Sequence, residues 1–232
     1  MRFNVKLLLV FFLMILVPSS SKLLAQGGFY GVQISPGFST QKWNGQSRSS
    51  LLTLNADVYM SAYGEDETNI YYLKGGYHQR GSSVNVGNLS GILNTRLKYI
   101  FHNAVVGVGV KKMLKERFGL PFYYLLGLRL EYTVGTNLSQ YKDRNTAYYP
   151  IDYFVNKFNY GTDFGGGFIF QLNGNYDLYL ELLVSPDFSL QYEQDPIANV
   201  VDPYHPSQLI TVPKRQVRNL SFEFSIGLRL LQ

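Results

Sequence analysis

The residues of this chain that could carry chemistry are few and widely spaced. Histidine occurs three times in 232 residues, at positions 78, 102 and 205. A deacylase or acyltransferase acting on lipid would need one of them beside a serine and an acid, because the imidazole must take the nucleophile's proton and be oriented by a carboxylate. No serine lies two or four positions from His102, and Ser82 and Ser83 near His78 have only a loose carboxylate companion. Cysteine is absent, which excludes thiolate metal sites, cysteine nucleophiles, disulfides and a lipid-modified N-terminal cysteine. Gly165-Gly166-Gly167 lacks the following Lys-Ser/Thr of a phosphate loop and precedes no helix. Asp195, Asp202 and His205 lack a recognisable ligand spacing. The expectation is a chain with no catalytic residue, no cofactor and no metal.

The charged residues gain meaning from the elements that must position them. Long segments alternate strictly between apolar and polar or small residues, the mark of strands with two different faces. In residues 217–231 the even positions are Leu220, Phe222, Phe224, Ile226, Leu228 and Leu230, while the odd ones include Asn219, Ser221, Glu223, Ser225, Gly227 and Arg229. Residues 30–40, 52–62, 69–80, 122–135, 160–172 and 177–193 follow the same rule. In residues 94–112 the phase of the apolar residues changes near His102-Asn103, from Leu97, Tyr99 and Phe101 to Ala104, Val106, Val108 and Val110. Either a bulge in one long strand or a tight turn between two short ones would account for it. One long strand gives eight in all, the even number that single-chain bacterial barrels have.

Length and connection pattern select the architecture. Globular strands average about 5 to 6 residues, whereas a strand crossing hydrocarbon needs about 9 to 11. Short connections at 64–68, 113–119 and 173–176 alternate with long ones at 41–50, 81–93, 136–159 and 194–216. The expected fold is therefore all-β: an eight-stranded antiparallel up-and-down transmembrane β-barrel of outer-membrane type. In lipid the sheet must close, with its apolar face outward. Asp57, Lys74, Arg80, Lys111, Arg129, Glu131, Asp163, Glu181, Asp187, Glu223 and Arg229 then point into the lumen as a mixed-sign, mutually paired network, with glycines at 31, 37, 107, 109, 127, 165, 167 and 227 making room. Aromatic girdles are expected from Phe29, Tyr30, Tyr63, Tyr71, Phe122, Tyr124 and Tyr176 at the short-turn end, and from Phe38, Trp43, Tyr77, Tyr132, Tyr160, Phe188 and Tyr192 toward the long loops. A soluble lipocalin-like barrel with its apolar face inward is the alternative.

The N-terminus places the chain in a compartment. Arg2 and Lys6 precede an unbroken apolar run over residues 7–17, and a polar stretch then leads to Leu23-Leu24-Ala25-Gln26. A cleavable signal peptide over residues 1–25 is expected, with the barrel domain over 26–232; an uncleaved anchor is the alternative. Cleavage removes Arg2, Lys6 and Lys22 from the 21 basic residues and none of the 16 acidic ones. The isoelectric point of about 9.2 thus overstates the mature charge, and no nucleic-acid partner is expected. With only 16% charged residues but 16% aromatic ones, disorder is excluded.

Ala25-Gln26, Gly-Val-Gln-Ile-Ser-Pro-Gly-Phe-Ser at 31–39, Leu-Lys-Gly-Gly-Tyr at 73–77, Phe-Gly-Gly-Gly-Phe at 164–168 and Ile-Gly-Leu-Arg-Leu at 226–230 are the segments through which the chain resembles a family. It is similar over essentially the whole mature length to the small outer-membrane β-barrel proteins of Bacteroidetes, the PorT-like proteins. The resemblance implies residence in the cell outer membrane, assembly there by the barrel-assembly machinery and, for some members, a link to protein secretion. A non-enzymatic structural or protein-interaction role with a filled lumen is the leading expectation. A narrow pore or transport accessory and an outer-leaflet lipid-modifying enzyme are the alternatives. The long loops would meet partners: Tyr141, Tyr148, Tyr149 and Tyr153 a protein or glycan, Lys214 and Arg215 the anionic head groups of lipopolysaccharide.

Overall fold

A computed structural model describes residues 28–44, 48–65, 68–87, 94–117, 120–141, 149–202 and 205–231. The expected signal peptide and Tyr148 lie outside the described residues. Eleven strands are present among the described residues: β1 (Gly28–Trp43), β2 (Leu51–Tyr63), β3 (Asn69–Gly87), β4 (Asn94–Arg117), β5 (Leu120–Thr136), β6 (Phe158–Asn173), β7 (Tyr176–Pro186), β8 (Tyr192–Gln194), β9 (Ile197–Val201), β10 (Leu209–Val212) and β11 (Arg215–Leu231). Single 3-10 turns occur at Leu138–Tyr141 and Asp152–Phe154.

Eight of these strands form a ring. β1 to β7 pair in sequence order, β7 pairs with β11, and β11 pairs back onto β1 from Phe29↔Leu231 to Trp43↔Val217. Every pairing is antiparallel. Closure matters because an open edge would leave a row of unpaired amides. Short and long connections fall at the ends expected of them, but β3 runs on to Gly87 and β4 to Arg117, so residues 81–87 and 113–117, expected in connections, are strand. At one end Gly64 N–H donates to Asn69 O at 2.7 Å to close the β2–β3 turn, and Gly174-Asn175 alone joins β6 to β7. At the other end β7 and β11 are separated by residues 187–214.

The polarity of the wall is inverted relative to a water-soluble barrel. Leu52 is 68% exposed on the outside, while Arg80 on the inside is fully buried. Outward positions from Tyr30 to Phe38 on β1 and from Leu220 to Leu230 on β11 carry no charge, and the same is true from Leu52 to Met60 on β2. About ten residues per strand form this apolar belt, the number that spans hydrocarbon.

Three sequence expectations change. First, β4 is the one long strand that the count of eight expected, but its inward face never slips: Leu97, Tyr99, Phe101, Asn103, Val105 and Gly107 all point inside. A register shift does fall at His102/Asn103, where His102 pairs with Gly135 and Asn103 with Thr133. The extra residue, Val134, belongs to β5. What changes at His102 is the lumen itself, polar below and apolar above. Second, residues 177–193 are not one strand. β7 stops at Pro186, and β8 resumes the place beside β11 at Val217↔Tyr192. Third, residues 194–216 hold a hairpin, β9 paired with β10, rather than an irregular loop. Phe29, Trp43 and Tyr192 are buried inside and do not belong to the girdles. They help to form two apolar layers that close the lumen at its ends.

Candidate functional site

The lumen is stacked in three tiers. At the short-turn end Phe29, Tyr59, Ile70, Tyr123, Ile169 and Tyr179 form an aromatic floor. At the loop end Trp43, Leu97, Tyr99, Phe101, Leu138, Tyr141, Tyr192 and Val217 form a lid-like layer. Between them lies the charged tier. The strands supply the tiers through their two-residue period, which sends every second side chain inward, and the 3-10 turn at Leu138–Tyr141 adds Leu138 and Tyr141 to the upper layer.

Arg80 is the hub of the charged tier. Its Nε and Nη2 donate to Glu131 Oε1 at 3.1 and 2.7 Å, and its Nη1 donates to Glu223 Oε1 at 2.7 Å. Nη2 also lies 2.9 Å from His78 Nδ1. A guanidinium can only donate, so Nδ1 is the acceptor, and the ring proton sits on Nε2. Nε2 faces Asp57 Oδ1 and Oδ2 at 3.0 and 3.1 Å. Arg129 continues the network to Glu131 at 3.0 Å, to Asp163 at 3.3 Å and to Asp187. Lys74 Nζ meets Asp163 Oδ2 at 2.8 Å. Asn103 donates to the second oxygen of Glu131.

Polar side chains tie this tier to both closures. Downward, Gln33 Nε2 donates to Asp57 Oδ2 at 2.8 Å, and Tyr179 OH donates to Gln33 Oε1 at 2.8 Å. Upward, Asn219 Nδ2 donates to Asp187 Oδ2 at 2.7 Å, Gln41 Nε2 donates to Asn219 Oδ1 at 2.8 Å, and Trp43 Nε1 reaches Gln41 Oε1 at 3.2 Å. In the floor Lys111 pairs with Glu181, and its ammonium lies 4.8 to 5.7 Å from the ring centroids of Tyr59, Tyr72, Tyr123 and Tyr179. Arg229 pairs with Asp177 and stacks on Phe29 at 4.4 Å. The remaining void there is about 10 Å³, at the lower limit of what holds one water.

All eleven residues expected in the lumen are thus inside, brought into one network or its floor. His78, Asn103 and Asp177 complete it. Asp177 could have been found from its register partner Arg229, whereas nothing in the spacing alone joins His78 to Asp57. The loop residues divide differently. Tyr153 is 86% exposed and Tyr149 is half-buried. Tyr141 and Arg215, expected at the surface, are buried. Tyr141 packs on Tyr99 at 5.2 Å, and its hydroxyl donates to Lys98 O. Arg215 points inward because β11 starts one turn of the ladder earlier than expected, opposite Gln194. Lys214 is exposed and pairs with Glu193 at 3.0 Å and Asp195 at 3.6 Å. Bonds from Gln216 and Lys214 hold the Glu193 carboxyl below its ordinary pKa.

No family model matches this chain, and no curated protein matches it. Several solved structures are similar. Neisserial surface protein A aligns over 88% of this chain and 96% of its own at a TM-score of 0.47 and 11% identity. Ail, the attachment invasion locus protein of Yersinia pestis, aligns over 87% and 98% at 0.38 and 12%. The outer membrane protein AlkL aligns over 89% and 92% at 0.41 and 11%. Likeness at this level transfers no function to this chain.

The nucleophile sets are not assembled. His78 is enclosed between Asp57 and Arg80, away from either end. His102 stands on the outer wall, where its ring stacks on Tyr77 at 5.9 Å and its Nδ1 meets the Tyr77 hydroxyl. Gln79 Nε2 donates to that hydroxyl at 3.1 Å. Gly165 and Gly167 lie against the carbonyls of Leu182 and Leu180, where a side chain would collide with the β7 backbone. His205 pairs with Asp202 at 3.2 Å, while Asp195 turns to Lys214.

Proposed function

We propose that this chain is an outer-membrane β-barrel whose lumen is filled by side chains and whose role is structural or one of protein interaction, exercised through its extracellular loops rather than through catalysis or conduction. The inverted polarity of the closed ring carries this reading: ion pairs inside, uncharged leucine, valine and phenylalanine outside. Water would not tolerate so large a contiguous apolar wall on a monomer, and lipid demands it. Export by the N-terminal signal segment, insertion by the barrel-assembly machinery and kinship with the PorT-like barrels of Bacteroidetes belong to the same reading. Exposed Tyr153 and Phe158 beside the loop end are the surfaces offered to a protein partner.

Gel migration of outer-membrane fractions tests the reading. Unheated protein should run ahead of boiled protein, because the barrel survives detergent until heated. A chain that stays in the soluble periplasm and shows no such shift would sink it.

A further inference from the structure

Above the apolar belt, two cations stand directly opposite one another on the outer wall. Lys42 of β1 and Arg218 of β11 are register partners in the ladder that closes the ring, and both are exposed. Like charges placed opposite each other on a sheet repel. Among the described residues, neither takes part in an ion pair. The acid two steps along the ladder, Glu193, faces Gln216 and is already bonded to Gln216 and Lys214. Four residues toward the midplane on the same face, Phe38 lies opposite Phe222, with Leu52 beside Phe38 on β2. All three are about half exposed or more.

We propose that Lys42 and Arg218 bind the phosphate of an outer-leaflet lipid, whose acyl chains lie down the wall of Phe38, Phe222 and Leu52. This rests on the membrane reading above. An anion placed between the two cations turns their repulsion into a bridge. Arg218 offers a planar fork that matches two phosphate oxygens, and Lys42 offers a point charge on a stem long enough to reach the head-group level while its methylenes stay on the wall. The spacing fits: four residues of strand is roughly 13 Å, so the cations sit at head-group height while the aromatic pair sits in acyl chains. Arg96 and Lys98, exposed on the outer face of β4 at the same end, add to the positive rim.

The test uses the full mature barrel in nanodiscs of phosphatidylcholine doped with diphosphoryl lipid A, with bound lipid read by native mass spectrometry. Each cation at a membrane surface contributes about fivefold to anionic lipid binding, so K42Q/R218Q should weaken lipid A retention by roughly 30-fold. K42R should retain it, and Lys112→Gln, at the short-turn end opposite Asn69, should leave it unchanged. Unchanged retention in the double variant, with heat-modifiable migration preserved, overturns the site and leaves the membrane reading intact. Displacement of lipid A by equimolar inorganic phosphate would make the pair a site for free phosphate and overturn the lipid proposal. A wild-type chain that enters no nanodisc overturns the membrane reading, and the lipid site with it.

Discussion

Arg80 pairs with two buried carboxylates and fixes the tautomer of His78 at the same time. Removing one partner of a buried ion pair leaves an uncompensated charge and costs about 3–5 kcal/mol. Arg80→Met should therefore destabilise the refolded barrel by that amount, whereas Ser35→Ala, which loses one neutral bond to Ser225 at 2.7 Å, should cost about 1 kcal/mol. Urea titration of both variants in detergent reads the difference, and the single tryptophan, Trp43 in the upper closure, supplies the fluorescence signal. Equal midpoints would mean that the charged tier does not bear on stability. The pairing of His78 with Asp57 depends on a neighbour with no side chain. Asp57 lies opposite Gly76, and a Cβ there would meet the Asp57 carboxylate and the Ala56 carbonyl. Gly76→Ala should cost about 1–3 kcal/mol through overpacking, while Gly135→Ala, with open space around it, should be silent in the same titration. Which residues enter the lumen was legible in the sequence, because charges are scarce and share one phase. Which charge meets which was not, because partners such as Arg80 and Glu223 are 143 residues apart and meet only once the ring closes.

At the scale of elements, the eight wall strands could be read from alternation because one face of each is continuous oil. The closures could not. An aromatic pointing inward and one pointing outward look alike when both surroundings are apolar, so Trp43 and Tyr192 read as girdle residues. The apparent phase change in β4 has the same cause: the inward face stays odd-numbered, and its content switches from Asn103 to Phe101, Tyr99 and Leu97. The β9–β10 hairpin was hidden by the prolines around it, at 196, 203, 206 and 213, although Ile197-Ala-Asn-Val-Val and Leu209-Ile-Thr-Val are rich in β-branched residues. Its one left-handed residue, Asn199 with φ of 59°, is of a type that tolerates that conformation. The inward assignment of the upper β4 segment predicts opposite behaviour for two apolar residues of the same strand. Phe101→Ala, in the closure, should cost about 3–5 kcal/mol and red-shift Trp43 fluorescence. Val108→Ala, on the lipid face, should cost less than about 1 kcal/mol in the same detergent and leave the spectrum in place. A reversal of that order would put the oil-to-polar boundary of β4 on the wrong face.

The three tiers together decide whether the molecule conducts. An eight-stranded ring leaves an interior just wide enough for side chains to fill, and here it is filled in series. Five carboxylates, of Asp57, Glu131, Asp163, Asp187 and Glu223, face Lys74, Arg80, Arg129 and His78 in the central tier, and an apolar layer lies on either side. An ion would have to shed water into an aromatic floor, part a bonded network and then cross a second aromatic layer, each step in a region of low polarisability where charge is costly. Because the barriers are in series, lowering one leaves the others standing. Planar-bilayer recordings of the wild-type barrel should show no channel steps, and Tyr123→Ala, which opens the floor, should remain silent. Conductance should emerge only when the floor, the hub and the upper closure are cut together, as in Tyr123→Ala with Arg80→Ala and Phe101→Ala, provided that the triple variant still shifts on heating. Regular channel steps from the wild type would instead mean that the central tier parts readily, and the chain would be a narrow pore.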